Sequence, residues 1–299
     1  MKKRKQLWLV SLMFCGLLAA TLPASAILSF YAPYDNNLTL TVGSPSTVSD
    51  STGTVNIVSG FMVQGRPSNA GDFSGSANAL AYGNVSSYFA GTTPNSVIGA
   101  NTMRLLFKPN FSGPNVAVRH NLLGVGTLGA TDSFYIYNSD DARGPAFLMT
   151  SITSGALFLN GLSNFNWNSS TWYYLGASFD NTGASFYVRP LLTNSVPSFQ
   201  TASFGGSATW GGNMGSGQWT VQVGRRAPIF GAGPEGADGL IDDTQGFSNE
   251  RWNLKQFESD FALVIPEPST VGLVLSALAL GVFRRKRLHR PHTKPEQVL

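Results

Sequence analysis

Cysteine, histidine and paired carboxylates carry much of enzyme chemistry, and this chain is short of all three. Its one cysteine, Cys15, lies in an apolar stretch near the N-terminus, so the body beyond it has no thiolate nucleophile, Cys-ligated metal or disulfide. His120 is the one histidine before the C-terminal tail, which excludes a His-rich metal site and a Cys–His pair. The glutamates Glu235, Glu250, Glu258 and Glu267 are widely scattered. Asp242 and Asp243 are adjacent, and adjacent residues of a regular strand point to opposite faces, so they are not expected to act as a pair. Glycoside hydrolysis needs two carboxylates about 5–5.5 Å apart for retention or about 6.5–9.5 Å apart for inversion. No spacing in the sequence announces such a pair.

Two non-catalytic chemistries remain. Calcium takes several oxygen ligands, and Asp132, Asp140, Asp141, Asp180, Asp238 and Asp242 fall in or near expected loops. Aspartates in those places also cap turns, so no residue is assigned to a metal and no cofactor is expected, with calcium as the alternative. Sugar rings stack on aromatics, and Trp167, Trp210 and Tyr137 sit beside polar, Gly-rich segments. Trp172 and Trp219 begin strands and read as core. The segment Gly224–Gly239, with Arg225, Arg226 and Glu235, is a long loop dense in Gly and Pro and the preferred place for a ligand contact. The ligand-binding residues are otherwise unassigned.

Net charge must be read by segment. The whole chain is +4 with a pI near 9.2. Between Ile27 and Ile265 there are ten Lys/Arg against fourteen Asp/Glu, a net −4. The basic character belongs to Lys2–Lys5 and to the six cations after Phe283, not to the body. A nucleic-acid surface needs clustered cations on one face, and only Arg225-Arg226 comes near that, so no nucleic-acid partner is expected.

The elements that position these residues read as short strands joined by tight turns. Leu38, Leu40 and Val42 alternate with Thr39 and Thr41, and Thr54 to Val58 is a second lead-in strand. Ala79 to Tyr82 and Ser87 to Phe89 are short candidates. Met103, Leu105 and Phe107 share a face in a strand that Pro109 ends. Phe134 to Tyr137 and Ala156 to Leu159 follow. The sharpest hairpin is Trp172 to Phe179, the turn Asp180-Asn181-Thr182-Gly183, and a return through Ala184, Phe186 and Val188. Trp219, Val221 and Val223 make another strand, and Leu240-Ile241 begins the last. Ser248-Asn249 is the expected cap of a short helix from Glu250 to Asp260.

This ordered series resembles the LamG-like (concanavalin A-like) jelly-roll family. The matching pieces are Met103 to Pro109, Trp172 to Asp180, Ala184 to Val188, Gly239 to Asp243 and the segment running to Phe257. The resemblance implies an all-β fold of two antiparallel sheets packed face to face, across about Phe61 to Phe261. It also implies a domain that binds sugars or proteins or serves as a structural module. The laminarinase-like hydrolases of this fold carry Glu-x-Asp-x-Glu or a near variant on one strand, and this chain does not.

The two ends carry an address. Lys2-Lys3-Arg4-Lys5, the apolar Leu7 to Ala20 and the small-residue site Ala24-Ser25-Ala26 form a secretory leader that predicts a mature start at Ile27. An uncleaved anchor is the alternative. At the other end, Pro266-Glu267-Pro268 is held extended by its prolines. Behind it, Thr270 to Phe283 carries no charge, and fourteen helical residues span roughly 21 Å against about 30 Å of hydrocarbon. Arg284-Arg285-Lys286-Arg287 would stay cytoplasmic, leaving the body outside. Pro-Glu-Pro, a short apolar span and a basic cluster, in that order, resemble the PEP-CTERM sorting signal of exopolysaccharide-producing bacteria. The resemblance implies an exosortase-type membrane enzyme that removes the tail. A permanent anchor is the alternative.

The sequence therefore predicts a two-sheet antiparallel jelly-roll sandwich with an N-terminal signal helix and a C-terminal transmembrane helix. The expected divisions are a signal peptide over 1–26, lead-in strands over 27–60 and the jelly roll over 61–262. The sorting signal occupies 264–287, with its span at 270–283, and a basic cytoplasmic tail occupies 288–299. The expected role is a non-enzymatic protein of the cell envelope, then of the surface or extracellular matrix after processing. A module binding exopolysaccharide is the alternative, and a glycoside hydrolase the minor one.

Overall fold

Strands form where apolar and β-branched residues alternate with small polar ones, and the alternation decides which face is buried. The computed structural model describes residues 26–264, apart from 49, 53, 64–65, 75–77, 115–118, 127–131, 140–143, 152, 161–164, 193, 213, 215–218 and 225–235. Ala24, Pro266, Glu267, Pro268, Arg284, Arg285, Lys286 and Arg287 lie outside the described residues, and Ala26 is the first of them. Among the described residues no helix is long and apolar enough to cross a membrane.

Fifteen strands and one α-helix are seen in the described residues. In chain order the strands are β1 (Ile27–Ala32), β2 (Asp50–Thr52), β3 (Asn56–Val63), β4 (Arg66–Asp72), β5 (Ala79–Asn84), β6 (Asn101–Pro109), β7 (His120–Val125) and β8 (Ser133–Asn138). Then come β9 (Pro145–Ser151), β10 (Gly155–Asn160), β11 (Tyr173–Asp180), β12 (Gly183–Pro190), β13 (Ser198–Ser203), β14 (Thr220–Val223) and β15 (Gly239–Ser248), and last the helix α1 (Leu254–Val264). One sheet runs β13-β12-β11-β6-β15-β4-β3, with β1 also on β15, and the other runs β10-β9-β8-β7-β14-β5-β2. All pairings are antiparallel, and the chain crosses repeatedly between sheets, so the expected two-sheet sandwich is what forms.

The main core lies between the sheets. Met103, Leu105 and Phe107 of β6 and Leu175, Ala177 and Phe179 of β11 face Phe134 and Ile136 of β8 and Phe147 and Met149 of β9. Phe134 and Phe179 meet across the gap with ring centroids 4.5 Å apart. The hairpin reads as expected: β11 and β12 pair from Tyr173↔Pro190 to Asp180↔Gly183. The lead-in segment enters both sheets, β1 pairing with β15 and β2 with β5.

Three local expectations are corrected. Residues 38–42 make only an isolated bridge, Tyr31↔Val42, and the strand lies earlier, at β1. Ser87 belongs to a 3-10 turn, Val85–Ser87, whose cap Asn84 accepts from Ser86 N. The helix starts four residues later than expected. Its cap is Asn253, whose Oδ1 accepts from Gln256 N while Gln256 Oε1 accepts from Asn253 N, a reciprocal capping box.

α1 forms a third layer on the outer face of the larger sheet. Trp252, Phe257, Phe261 and Val264 pack there on Leu106, Tyr174 and Tyr187. The seat is a glycine: a Cβ on Gly176 would lie 2.5 Å from the Phe257 ring. Gly176→Val should therefore push α1 off its seat at a cost of about 1–3 kcal/mol. The expected outcome is faster amide exchange across Leu254–Val264 with protection retained in β6 and β11. Unchanged exchange in α1 would show that the helix does not depend on this contact.

Candidate functional site

Two surfaces could meet a ligand: the outer face of the larger sheet, which α1 covers, and that of the smaller. On the smaller sheet the register builds a transverse row. Gln222 of β14 lies beside Gly124 of β7, Gly124 beside Tyr135 of β8, Tyr135 beside Leu148 of β9, and Leu148 beside Phe158 of β10. A parallel row holds Asn121, Tyr137 and Ala146. Gly124 is required, since a Cβ there would come 2.2 Å from Tyr135 Cβ. The absent side chain leaves a small surface pocket bordered by Asn121, Tyr135 and Gln222.

Aromatics dominate this face. The Tyr135 and Tyr137 rings are 5.5 Å apart at 61°, Tyr137 and Phe158 are 6.2 Å apart, and the Arg119 guanidinium lies 5.4 Å from the Tyr137 ring centre. Tyr135 and Tyr137 are nonetheless 4% and 2% exposed, and Phe158 is the ring that opens to solvent, at 37%. Amides beside ring faces can satisfy a sugar's hydroxyls and its C–H face together. Of the three aromatics named as stacking candidates, only Tyr137 lies here. Trp167 and Trp210 belong to the core between the sheets. Trp167 packs edge-on to Phe107 at 5.5 Å and donates from Nε1 to Asn138 Oδ1 at 2.8 Å, and Trp210 sits 6.0 Å from Phe134. Polar neighbours in sequence do not expose a tryptophan whose strand or loop faces the second sheet.

Among the described residues, several carboxylates are engaged inside the protein. Asp180 Oδ1 accepts from Thr182 N, Thr182 Oγ1 and Gly183 N and pairs with Arg251 at 3.0 Å. Burial pushes its pKa up, but the Thr182 donors and Arg251 outweigh this and hold it below the usual range. Asp180 is thus a turn cap. Asp132 Oδ1 accepts from Gly211 N at 2.8 Å. Glu258 accepts from Tyr187 Oη at 2.8 Å and pairs with Arg189. His120, stacked on Phe111 at 4.8 Å, donates from Nδ1 to the Gly236 carbonyl, and burial lowers its pKa. That bond places His120 against the C-terminal end of the Gly224–Gly239 segment, of which 225–235 lie outside the described residues. Asp140 and Asp141 lie outside them as well. Among the described residues no three of His, Cys, Asp and Glu gather as a metal-holding group.

A cluster of charge among the described residues lies under α1 and went unread in the sequence. Arg104 of β6, 3% exposed, pairs with Asp243 at 2.6 Å and with Asp260 of α1 at 3.2 Å. Tyr174 Oη donates to Asp260 at 2.8 Å. Burial works against the guanidinium's charge, but Asp243 and Asp260 more than offset it and its pKa is raised. The expected alternation of Asp242 and Asp243 fails because β15 bulges there: Asp242 pairs with Leu106 and Gln245 with Arg104, and Asp243 takes φ +50°. Asp243 turns to Arg104, while Asp242 accepts from Ser68 Oγ of β4 at 2.8 Å.

No family model matches the chain, and no curated protein matches its sequence. Solved structures do. Domain 4 of AbnA, a GH43 extracellular arabinanase from Geobacillus stearothermophilus, determined in complex with arabinotriose, is similar with a TM-score of 0.51 and 15% identity, over 80% of this chain and 99% of that domain. The enzymatically active domain of tailspike protein 2 from bacteriophage CBA120 is similar with a TM-score of 0.51 and 14% identity, over 82% of this chain and 32% of that one. Identities this low establish a shared β-sandwich fold.

Asp242 has the clearest pH signature of these groups. Burial first, and the Asp243 charge second, push its pKa up to about 8. An unfolded aspartate titrates near 3.9, so the folded state holds its proton longer. Its stabilising contribution is full below about pH 4, falls as pH rises toward 8 and is level above that. Asp242→Asn, which can bond Ser68 and carries no charge, removes this slope. The variant should unfold at the wild-type midpoint at pH 4 and at a higher midpoint at pH 8, measured by thermal melts. A constant difference between the two across that range would overturn the assignment.

Proposed function

We propose that this is an exported, non-enzymatic protein of the cell surface or extracellular matrix, a LamG-like jelly roll delivered by a secretory leader and sorted through a PEP-CTERM signal by an exosortase-type enzyme. The observation that carries the reading is the ordered run of Pro266-Glu267-Pro268, an uncharged Thr270 to Phe283 and Arg284 to Arg287, set directly behind a β-sandwich whose last element ends at Val264. The non-enzymatic part is supported by the carboxylates. Asp180, Asp243, Glu258 and Asp260 are committed to arginines, and Asp132 and Asp242 to hydrogen bonds within the fold. The membrane is the first partner, through the C-terminal span, and the processing enzyme the second.

Carbohydrate binding is the second reading, and one observation favours it: the solvent-facing Phe158 and the half-buried Gln222 lie in one transverse row on a sheet face of a fold also used by an arabinanase domain determined with arabinotriose. The ligand class it implies is a neutral polysaccharide, the producing cell's own among them.

Intact-mass measurement on the exported protein tests the first reading. The expected species starts at Ile27 and ends near Pro266–Pro268; a chain that still ends at Leu299 overturns the sorting step. A glycan array tests the second. Phe158→Ala and Gln222→Ala should each lower binding roughly tenfold, the loss of about 1.4 kcal/mol, without loss of fold, since neither is core. An array with no positive polysaccharide removes this reading and leaves the structural one.

A further inference from the structure

α1 runs in a definite direction across the sheet, and this fixes where the chain leaves the body. Trp252 O accepts from Ser178 Oγ, Phe257 lies over Gly176, and Phe261 lies 5.8 Å from Tyr174 and 4.1 Å from the Arg189 guanidinium. Rising along α1, the partners descend β11. The helix therefore starts at the Asp180 turn, where Arg251 pairs with Asp180, and ends where β11 begins and β12 finishes. Leu191, just past β12, packs in the same cluster as Val264.

That end carries exposed aliphatic side chains. Leu192 is 53% exposed and Val196 83% in the segment between β12 and β13, and Leu263 is 61% exposed in the last turn of α1. Ser195 holds this segment in place, with its N–H donating to Leu192 O and its hydroxyl donating to Pro190 O. Only Ile265 to Ser269 separate Val264 from the apolar run that starts at Thr270. Five residues reach at most about 18 Å fully extended, and two of the five are proline. Such a tether cannot hold a domain well clear of a bilayer that Thr270 to Phe283 enters.

We infer that this end of the sandwich docks on the phospholipid bilayer, with Leu192, Val196 and Leu263 seated at the headgroup–acyl boundary while the C-terminal span is in place. Three exposed aliphatic side chains around the exit point of a short tether are what an interfacial contact requires. The inference rests on the membrane-span reading of Thr270 to Phe283. It adds an orientation: the Asp180 turn and the neighbouring loops point away from the membrane, toward whatever the surface or matrix presents.

The exported chain, starting at Ile27 and keeping its C-terminal tail, can be labelled at one site, because no cysteine lies beyond Cys15. Val196→Cys, carrying an environment-sensitive fluorophore, reports the docking end. Val97→Cys reports the opposite end, since Val97 is 54% exposed and its neighbour Ile98 bonds Ala208, which in turn bonds Asn181 in the hairpin turn. After reconstitution into phosphatidylcholine vesicles, the label at 196 should shift to the blue and lose intensity when the lipids carry a shallow nitroxide quencher. The label at 97 should do neither. Protein that floats with the vesicles while both labels behave alike overturns the docking and leaves the anchor standing. Protein that does not float overturns the anchor, and the docking falls with it.

Discussion

One buried guanidinium ties together elements that are distant in sequence. Arg104 comes from β6, Asp243 from β15 and Asp260 from α1, and Tyr174 of β11 hydrogen-bonds to the same carboxylate. Removing a charge from water is costly, and a buried arginine is tolerable only where its partners are close and well aimed. Here the first partner is 2.6 Å away, and the Asp243 carbonyl accepts from the same nitrogen at 2.8 Å. Once Arg104 is under the sheet's outer layer, taking it away leaves Asp243 and Asp260 without their shared cation, at about 3–5 kcal/mol. Through Asp260 the arrangement gives α1 a fixed polar contact on the sheet beside its apolar ones.

The bulge in β15 follows from the same requirement. A regular strand would turn Asp243 away from Arg104. The extra residue and the left-handed backbone at Asp243 redirect its side chain. The strand's other edge divides at this place as well: β4 pairs with Leu240 and Ile241, and β1 takes over from Thr244 to Ser248. The N-terminal strand is thus seated beside the ion cluster. Tyr31 of β1 hydrogen-bonds to Asp243, and burial together with that carboxylate raises its pKa.

How much of this was legible in the sequence depended on where each element finds its partner. The β11–β12 hairpin was read almost residue for residue, because its two strands pair with each other across a short turn that carries Asp-Asn-Thr-Gly. β6 was read from Met103, Leu105 and Phe107, and Pro109 does end it. β4, with the sequence Arg-Pro-Ser-Asn-Ala-Gly-Asp, was not read at all, since its composition is that of a loop and only its pairing with β3 and β15 makes it a strand. The helix was found but started too early, because Ser248-Asn249 looks like a cap, whereas Asn249 takes φ +66° and ends β15. The Asn253-x-x-Gln256 pair carried the better signal. Among the aromatics, Trp167 and Trp210 were ambiguous because their neighbours in sequence are polar, and the second sheet that buries them is not local. The Tyr135 row was invisible for a related reason: it exists only as a register among β14, β7, β8, β9 and β10.

The two adjacent acids show why burial is read from partners rather than residue type. Asp242 and Asp243 are the same side chain on neighbouring residues, both mostly withdrawn from water. One cation is available between them. Asp243 takes Arg104, and Asp242 is left with a hydroxyl and its neighbour's N–H as donors. The unequal sharing pushes Asp242 toward its neutral form, by burial first and by its neighbour's charge second. A protonated Asp242 can bond Ser68 without a counter-ion, so β4 stays on β15 beside a cluster that has no second arginine to offer. The net −4 of the body therefore overstates its acidity: part of that charge is spent inside, holding the helix and the N-terminal strand to the sheet.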